Sequence, residues 1–260
     1  MYINFNSFYT LFSARTIVSK AFLDQTDKPA PYDYLNKEFN IIKAQWDKTT
    51  LRLDQNSKLI CVEGAHAIGK TALAKELAET FDMKYMGPPN MDDIFITPYG
   101  EDYRKYQDLY PDFFKCMDEK AFFKDPLGMT HGSADRFLYH TYLLKFANQM
   151  QAIRHILNTG QGVVLETCAH ADYCYFNAAY NAGWVQPEMR EMYYMITRNS
   201  LHEVFRPNLI VYLDAPVEVV QENIKKRGNE WDKDSKVWSN SQYLSDIYSE
   251  FKQNFLRDIQ

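Results

Sequence analysis

Apolar and polar positions along this chain alternate between two periods. From Lys58 the run KLICVE is short and β-rich and leads into a glycine-containing loop. Beyond it, Leu73, Leu77 and Phe81, flanked by Ala74 and Ala78, recur every three to four residues and predict an amphipathic helix. A strand is expected near MKYM (83–86). A helical pattern then runs from about Asp135 to Leu157 and stops at NTGQG, where Gly160 can adopt the left-handed cap. GVVLE (162–166) and LIVYLDAP (209–216) are continuous apolar runs, which predict strands buried on both faces. Pro216 stops the second, and Val217, Val220 and Ile224 begin the helix behind it. The polar, lid-like stretch KKRGNEWDKDSKVW (225–238) precedes a last helix striped by Tyr243, Leu244, Ile247, Tyr248, Phe251 and Phe255. Strands alternating with helices predict an α/β domain, residues 58–260, with a parallel sheet covered on both faces.

The first 57 residues carry no strand pattern. Leu35, Phe39, Ile42 and Trp46 fall at helical spacing, so 24–57 reads as an arm with one amphipathic helix, covering the domain's core or docking on a partner. Residues 1–23 hold Arg15, Lys20 and three serines with no acid and no hydrophobic core segment; they read as a mitochondrial presequence or an ordinary tail. Residues 87–135 interrupt the alternation with ten acidic and five basic residues and nine Phe or Tyr. This acidic aromatic insertion is a substrate lid or an interaction surface.

Composition narrows the classes. With 260 residues, 46% of them apolar, the chain can fill a substantial core. Its net charge of −5 disfavours a nucleic-acid partner, because phosphate-backbone affinity draws on excess Lys and Arg. The four cysteines, Cys61, Cys116, Cys168 and Cys174, form no CxxC pair and read as buried thiols in a reduced compartment. Neither HExxH spacing nor a zinc-finger Cys/His pattern occurs, so no structural metal is expected. No apolar run reaches the ~18 residues needed to span a bilayer.

The chemistry concentrates in VEGAHAIGKT (62–71). Gly64, Gly69, Lys70 and Thr71 satisfy GxxxxGK[ST], placed between a strand and a helix as a phosphate loop requires. Its backbone N–H groups, those of Ala67, Ile68 and Gly69 among them, would surround phosphates at a helix N-terminus. Lys70 adds positive charge and the Thr71 hydroxyl can ligate Mg²⁺. His66 reads as a bystander, and Asp214, at the strand end where ligands gather, as a cap or a ligand contact.

VEGAHAIGKTALAKELAE, TGQGVVLE, PNLIVYLDAPVEVVQENIKKRG and YLSDIYSEFKQNFL, in this order, resemble the deoxynucleoside kinase family, over about Lys58 to Leu256. More closely, TGQGVVLE followed by YNAGWV, and YLDAPVEVVQ where kinases have Tyr-Leu-Arg-x-x-Pro-Glu, resemble the branch that serves as accessory subunits of mitochondrial complex I. The resemblance implies a P-loop kinase fold with five parallel strands. In the family another strand follows the last helix, whereas this chain ends at Gln260, so that strand is expected to be missing.

The resemblance also exposes gaps. Active kinases carry a Glu-Pro pair after the second strand, the glutamate serving as base. Here MGPPNMDD places Pro88 and Pro89 there, with Asp92 and Asp93 downstream as substitutes or as an ordinary solvated loop. The Glu-Arg-Ser of the third strand is Glu166, Thr167 and Cys168: the metal-serving carboxylate is kept and the phosphate-binding arginine lost. In the lid only Arg227 accompanies Lys225 and Lys226, and lysines lack the bidentate fork. The family's base-reading glutamine has no counterpart near Leu138, Tyr139 and His140.

The resulting expectation is a non-catalytic accessory subunit of complex I, peripheral on the matrix side of the mitochondrial inner membrane, with other complex I subunits as partners. It would bind a purine nucleotide through Gly64, Ala67, Ile68, Gly69, Lys70 and Thr71, with Mg²⁺ at Thr71 and Glu166. Glu166 and Arg227 would be vestiges of catalysis, and flavin and iron–sulfur groups would belong to other subunits. The alternative is an active deoxynucleoside kinase with a relocated base.

Overall fold

The computed structural model describes residues 28–258 except 39, 48, 112–114, 116, 129–131 and 233. The leader 1–23, Phe39 of the arm stripe, Cys116 and His131 lie outside them. The arm contributes α1 (Ile41–Trp46) and α2 (Thr49–Arg52). The domain follows as β1 (Leu59–Gly64), α3 (Lys70–Thr80), β2 (Lys84–Met86), α4 (Asp92–Phe95), α5 (Glu119–Lys124), α6 (Ser133–Thr159), β3 (Val163–Glu166), α7 (Asp172–Asn181), α8 (Pro187–Ser200), β4 (Leu209–Leu213), α9 (Val217–Arg227) and α10 (Ser241–Glu250). A π-helical turn, Phe251–Phe255, extends α10 and keeps Phe251 and Phe255 in the core.

Among the described residues the strands form one parallel sheet in the order β2-β3-β1-β4. With period-two alternation, Ile60 and Val62 of β1 face α3, packing with Ala74 and Ala78. Leu59 and Cys61 face the larger core of α6, α7 and α10. Both central strands are wholly buried, which is why they read as continuous apolar runs. LIVYL differs from expectation. β4 is half-buried along its whole length, because it pairs with β1 on one side only and sits at the edge of the described sheet. Phe81 also departs from the predicted stripe. The helix ends at Thr80, and Phe81, as its cap, turns outward.

Helix α6 extends two residues beyond the predicted span at each end and closes on Gly160, at φ 78°. A side chain there would be strained by that φ, and its Cβ would stand 2.3 Å from the Arg52 carbonyl oxygen. This contact seats the arm on the domain. Arg52 is paired with Asp47 and donates to the Ala30 carbonyl, while Tyr34 Oη meets His155 Nδ1 at 2.9 Å and the Tyr34 carbonyl accepts from Arg154. Of the predicted stripe, the described members Leu35, Ile42 and Trp46 take no part in this seating, being 72%, 66% and 81% exposed.

Candidate nucleotide site

The loop between β1 and α3 is shaped by backbone that few residues tolerate. Gly64 lies at φ 139°, and a Cβ on it would approach Leu213 O to 2.5 Å, so β4 can lie against the loop only if this residue is glycine. Ala67 (φ 56°) and Gly69 (φ 89°) curl the chain into the start of α3. Lys70 is buried beneath the curl, its ammonium donating to the carbonyls of Gly64 (2.9 Å) and Ala65 (2.6 Å). Burial lowers its pKa to about 8, against the opposing pull of Glu63 and Glu166. Thr71 Oγ1 donates to Glu166 Oε1 at 3.0 Å, and Tyr85 Oη donates to Glu166 Oε2 at 2.9 Å. Desolvation and that carboxylate push the Tyr85 phenol up to about 12.

A cavity of about 410 Å³ opens over the loop, within the size range of small-molecule sites. Its polar floor is His66 to Thr71 with Glu166 and Thr167; its wall is apolar, including Phe122, Phe137, Leu138, Phe176 and Tyr243. Pro88 and Pro89 line it without a carboxylate. His66 packs among aromatic rings, 4.9 Å from Trp238 and 5.5 Å from Phe123 and Tyr175. Desolvation, reinforced by the charge of Lys70, holds its imidazole well below the usual range, so the ring is a neutral wedge under the lid.

Other predicted positions are drawn elsewhere. Arg227 reaches the rim, but its guanidinium is held bidentately by Asp232 at 3.0 Å, and Asp232 also accepts from Trp238 Nε1. Lys226 pairs with Glu222 on the surface, Asp214 with Lys252, and Asp92 with Arg104. Thr167 sits at φ 66°, uncommon for a β-branched residue, with its buried hydroxyl lacking a partner. Tyr180, Asn181 and Gly183 form the end of α7 and its turn.

The reading from sequence missed the groups that anchor this floor. Lys145 and Asp172, both buried, form an ion pair at 2.7 Å, and Tyr193 donates to the other carboxylate oxygen at 2.8 Å. The Lys145 ammonium lies 4.5 Å from the centre of the Tyr175 ring, and Tyr175 Oη donates to the Gly64 carbonyl at 2.8 Å, linking α6 and α7 to the loop. Lys145 and Gln149 fall three and seven residues after Tyr142 on the buried face of α6; a charge inside an apolar stripe is the signal that marks such a residue. Glu63 is wholly buried at the end of β1, and burial raises its carboxyl above the usual range. Glu119 stands at the open side of the cavity, exposed to solvent on its surface yet packed closely enough that desolvation raises its pKa, with Arg227 opposing.

The sheet, the loop and the covered cavity define a P-loop nucleoside-kinase fold. The chain belongs to the deoxynucleoside kinase family, whose model matches residues 60–258. It is 34% identical over 212 residues to NADH dehydrogenase [ubiquinone] 1 alpha subcomplex subunit 10, mitochondrial, of Mus musculus, covering 81% of this chain and 56% of that protein. Deoxyguanosine kinase of Dictyostelium discoideum is 21% identical over 192 residues, 74% of this chain and 57% of that one. The chain thus spans a little over half the length of these relatives. The structure of deoxyadenosine kinase from M. mycoides with bound dATP shares the fold, with a TM-score of 0.53 at 12% identity over 78% of this chain and 86% of that one.

The pKa of Lys70 sets an expected pH dependence. The ammonium attracts phosphate and the free amine does not, so the binding form is lost as pH rises through about 8. Affinity for ADP is expected to be level near pH 7 and to fall by up to about tenfold per pH unit above 8, with proton uptake on binding. Calorimetric titrations at pH 7, 8 and 9 measure both.

Proposed function

We propose that this chain is a non-catalytic, nucleotide-binding accessory subunit of mitochondrial NADH:ubiquinone oxidoreductase (complex I), contributing to assembly or stability. The observation that carries it is the 34% identity to a protein named as a subunit of that enzyme, against 21% to a deoxyguanosine kinase. The site chemistry supports the same reading. The loop, Lys70 and the hydroxyl-and-carboxylate pair Thr71–Glu166 suit phosphates and a hard divalent cation such as Mg²⁺. The two groups that would move protons and offset developing charge depart from the family's pattern: Pro88 and Pro89, where a Glu-Pro pair is expected, line the cavity without a carboxylate of their own, and Asp232 holds Arg227. A positioned base is worth ~10² to 10⁴ in rate and a charge-stabilising arginine ~10³ to 10⁵, so the pocket binds without turning over. A purine nucleotide is therefore a structural ligand, and flavin and iron–sulfur chemistry lie in other subunits.

The place proposed for the chain is peripheral, on the matrix side of the inner membrane, against other complex I subunits; among the described residues no helix is long and apolar enough to cross a membrane. The subunit is expected to co-migrate with NADH dehydrogenase activity on a native gel of solubilised mitochondrial membranes. Recovery only as a free species would overturn the proposal. One observation favours the kinase reading: Glu119, with its raised pKa, is a carboxylate at the cavity that could serve as a relocated base. Incubation with ATP, Mg²⁺ and each deoxynucleoside separates the readings, since saturable turnover abolished by Glu119→Gln would establish the enzyme.

A further inference from the structure

We propose that Cys61, Glu63 and Cys168 form a buried binding site for a zinc-class divalent cation beneath the phosphate loop. Cys61 and Glu63 stand two residues apart on β1 and so point to one face, and the chain leaving β3 brings Cys168 against them. The Sγ atoms and a carboxylate oxygen all lie within 4.8 Å of one another. A tetrahedral ion with Zn–S of about 2.3 Å and Zn–O of about 2.0 Å separates sulfur from oxygen by roughly 3.5 Å. Cys61 Sγ and Glu63 Oε1 are 3.4 Å apart.

The second observation is an orphan. Without a metal, Glu63 Oε1 accepts both the Cys168 backbone N–H at 2.6 Å and the Cys61 thiol at 3.4 Å, but Oε2, on a side chain with no solvent exposure, has no partner. Native interiors rarely leave such an acceptor unsatisfied, and a bidentate carboxylate would use it as the fourth donor. Two sulfurs with one carboxylate select zinc over magnesium or calcium, which take oxygen ligands. On binding, each thiol releases its proton to solvent. The two thiolates and the carboxylate then leave a net charge of −1 around a dipositive ion, within electrostatic reach of Lys70 and Lys145. The site would join the end of β1 to the segment after β3, bracing the floor of the loop. It is separate from the Thr71–Glu166 pair, whose donors are oxygens, and linear spacing is blind to it because 105 residues part Glu63 from Cys168.

The full chain, purified without chelator, is expected to carry about one zinc per molecule by plasma mass spectrometry. Because the donors are buried, metal exchange is tested by refolding with Co²⁺, which should produce a thiolate-to-cobalt charge-transfer band in the near ultraviolet. Cys61→Ser and Cys168→Ser should lose most of that band, whereas Cys174→Ser, at a buried free thiol outside the cluster, should keep it. If a serine variant does not fold, the wild-type metal content and cobalt spectrum decide alone. Absence of both zinc and the cobalt band, or a Cys61–Cys168 disulfide in metal-free protein, would overturn the proposal.

Discussion

Replacing Lys145 by alanine is expected to lower the melting temperature by about 6 to 20 °C, because breaking a buried ion pair costs about 3–5 kcal/mol and each kcal/mol shifts a domain of this size by about 2–4 °C. Asp172 is 3% exposed, and with Lys145 gone its charge would keep the Tyr193 hydroxyl but lose its cation. The double variant Lys145→Met, Asp172→Leu is expected to recover most of the loss, since it removes both charges and keeps the volume. Scanning calorimetry of the two variants beside the wild type measures this. A single-variant shift under about 2 °C would mean that water reaches Asp172 and that the pair does not brace the loop.

Lys70→Met is expected to weaken ATP or ADP binding by about 30- to 5000-fold, the range for deleting one partner of a desolvated charge contact, 2–5 kcal/mol. Methionine keeps most of the stem's volume, so fold and loop should survive while the donor now aimed at the Gly64 and Ala65 carbonyls disappears. The same variant should lose the fall in affinity above pH 8, since its titrating group is gone. The readout is a calorimetric titration supported by nucleotide-induced thermal shift. Equal affinity in wild type and variant would place the nucleotide somewhere other than the loop.

Much of this architecture is legible without coordinates because it rests on interactions between near neighbours. Gly160 ends α6 as its position after an apolar run predicts, and the buried strands β1 and β3 are continuous apolar runs flanked by turn residues. The phosphate loop is legible for the same reason: the strand, the glycine-containing turn and the helix follow one another without a break from residue 59 to residue 80. Expectations failed where a neighbour across the fold decides. LIVYL is as apolar as β3, yet only sheet order makes it an edge. Of the two readings of the arm's stripe, covering the domain's own core is not what Leu35, Ile42 and Trp46 do, since they face outward and the arm is seated by Tyr34, Arg52 and Gly160; docking on a partner stays a proposal.

The candidate site divides the same way. Lys70, Thr71 and Glu166 can be picked out from the chain as candidates, because a motif and a strand end single them out, and the structure brings Thr71 and Glu166 together. Whether Arg227 is available cannot be, since its partner Asp232 is bound to it through a turn and a Trp238 contact that only packing creates. Lys145 meets Asp172 across 27 residues, and Glu63 meets Cys168 across 105. By itself the sequence determined the four strands, the helices after β1, before β3 and after β4, the last helix, the phosphate-loop motif and the family, because periodicity and turn chemistry act over a few residues; α5, α7 and α8 emerged only with the structure. Only the tertiary structure decided which charges are neutralised, which acceptor is orphaned and which strand is left at an edge, because burial and electrostatics depend on distance in space.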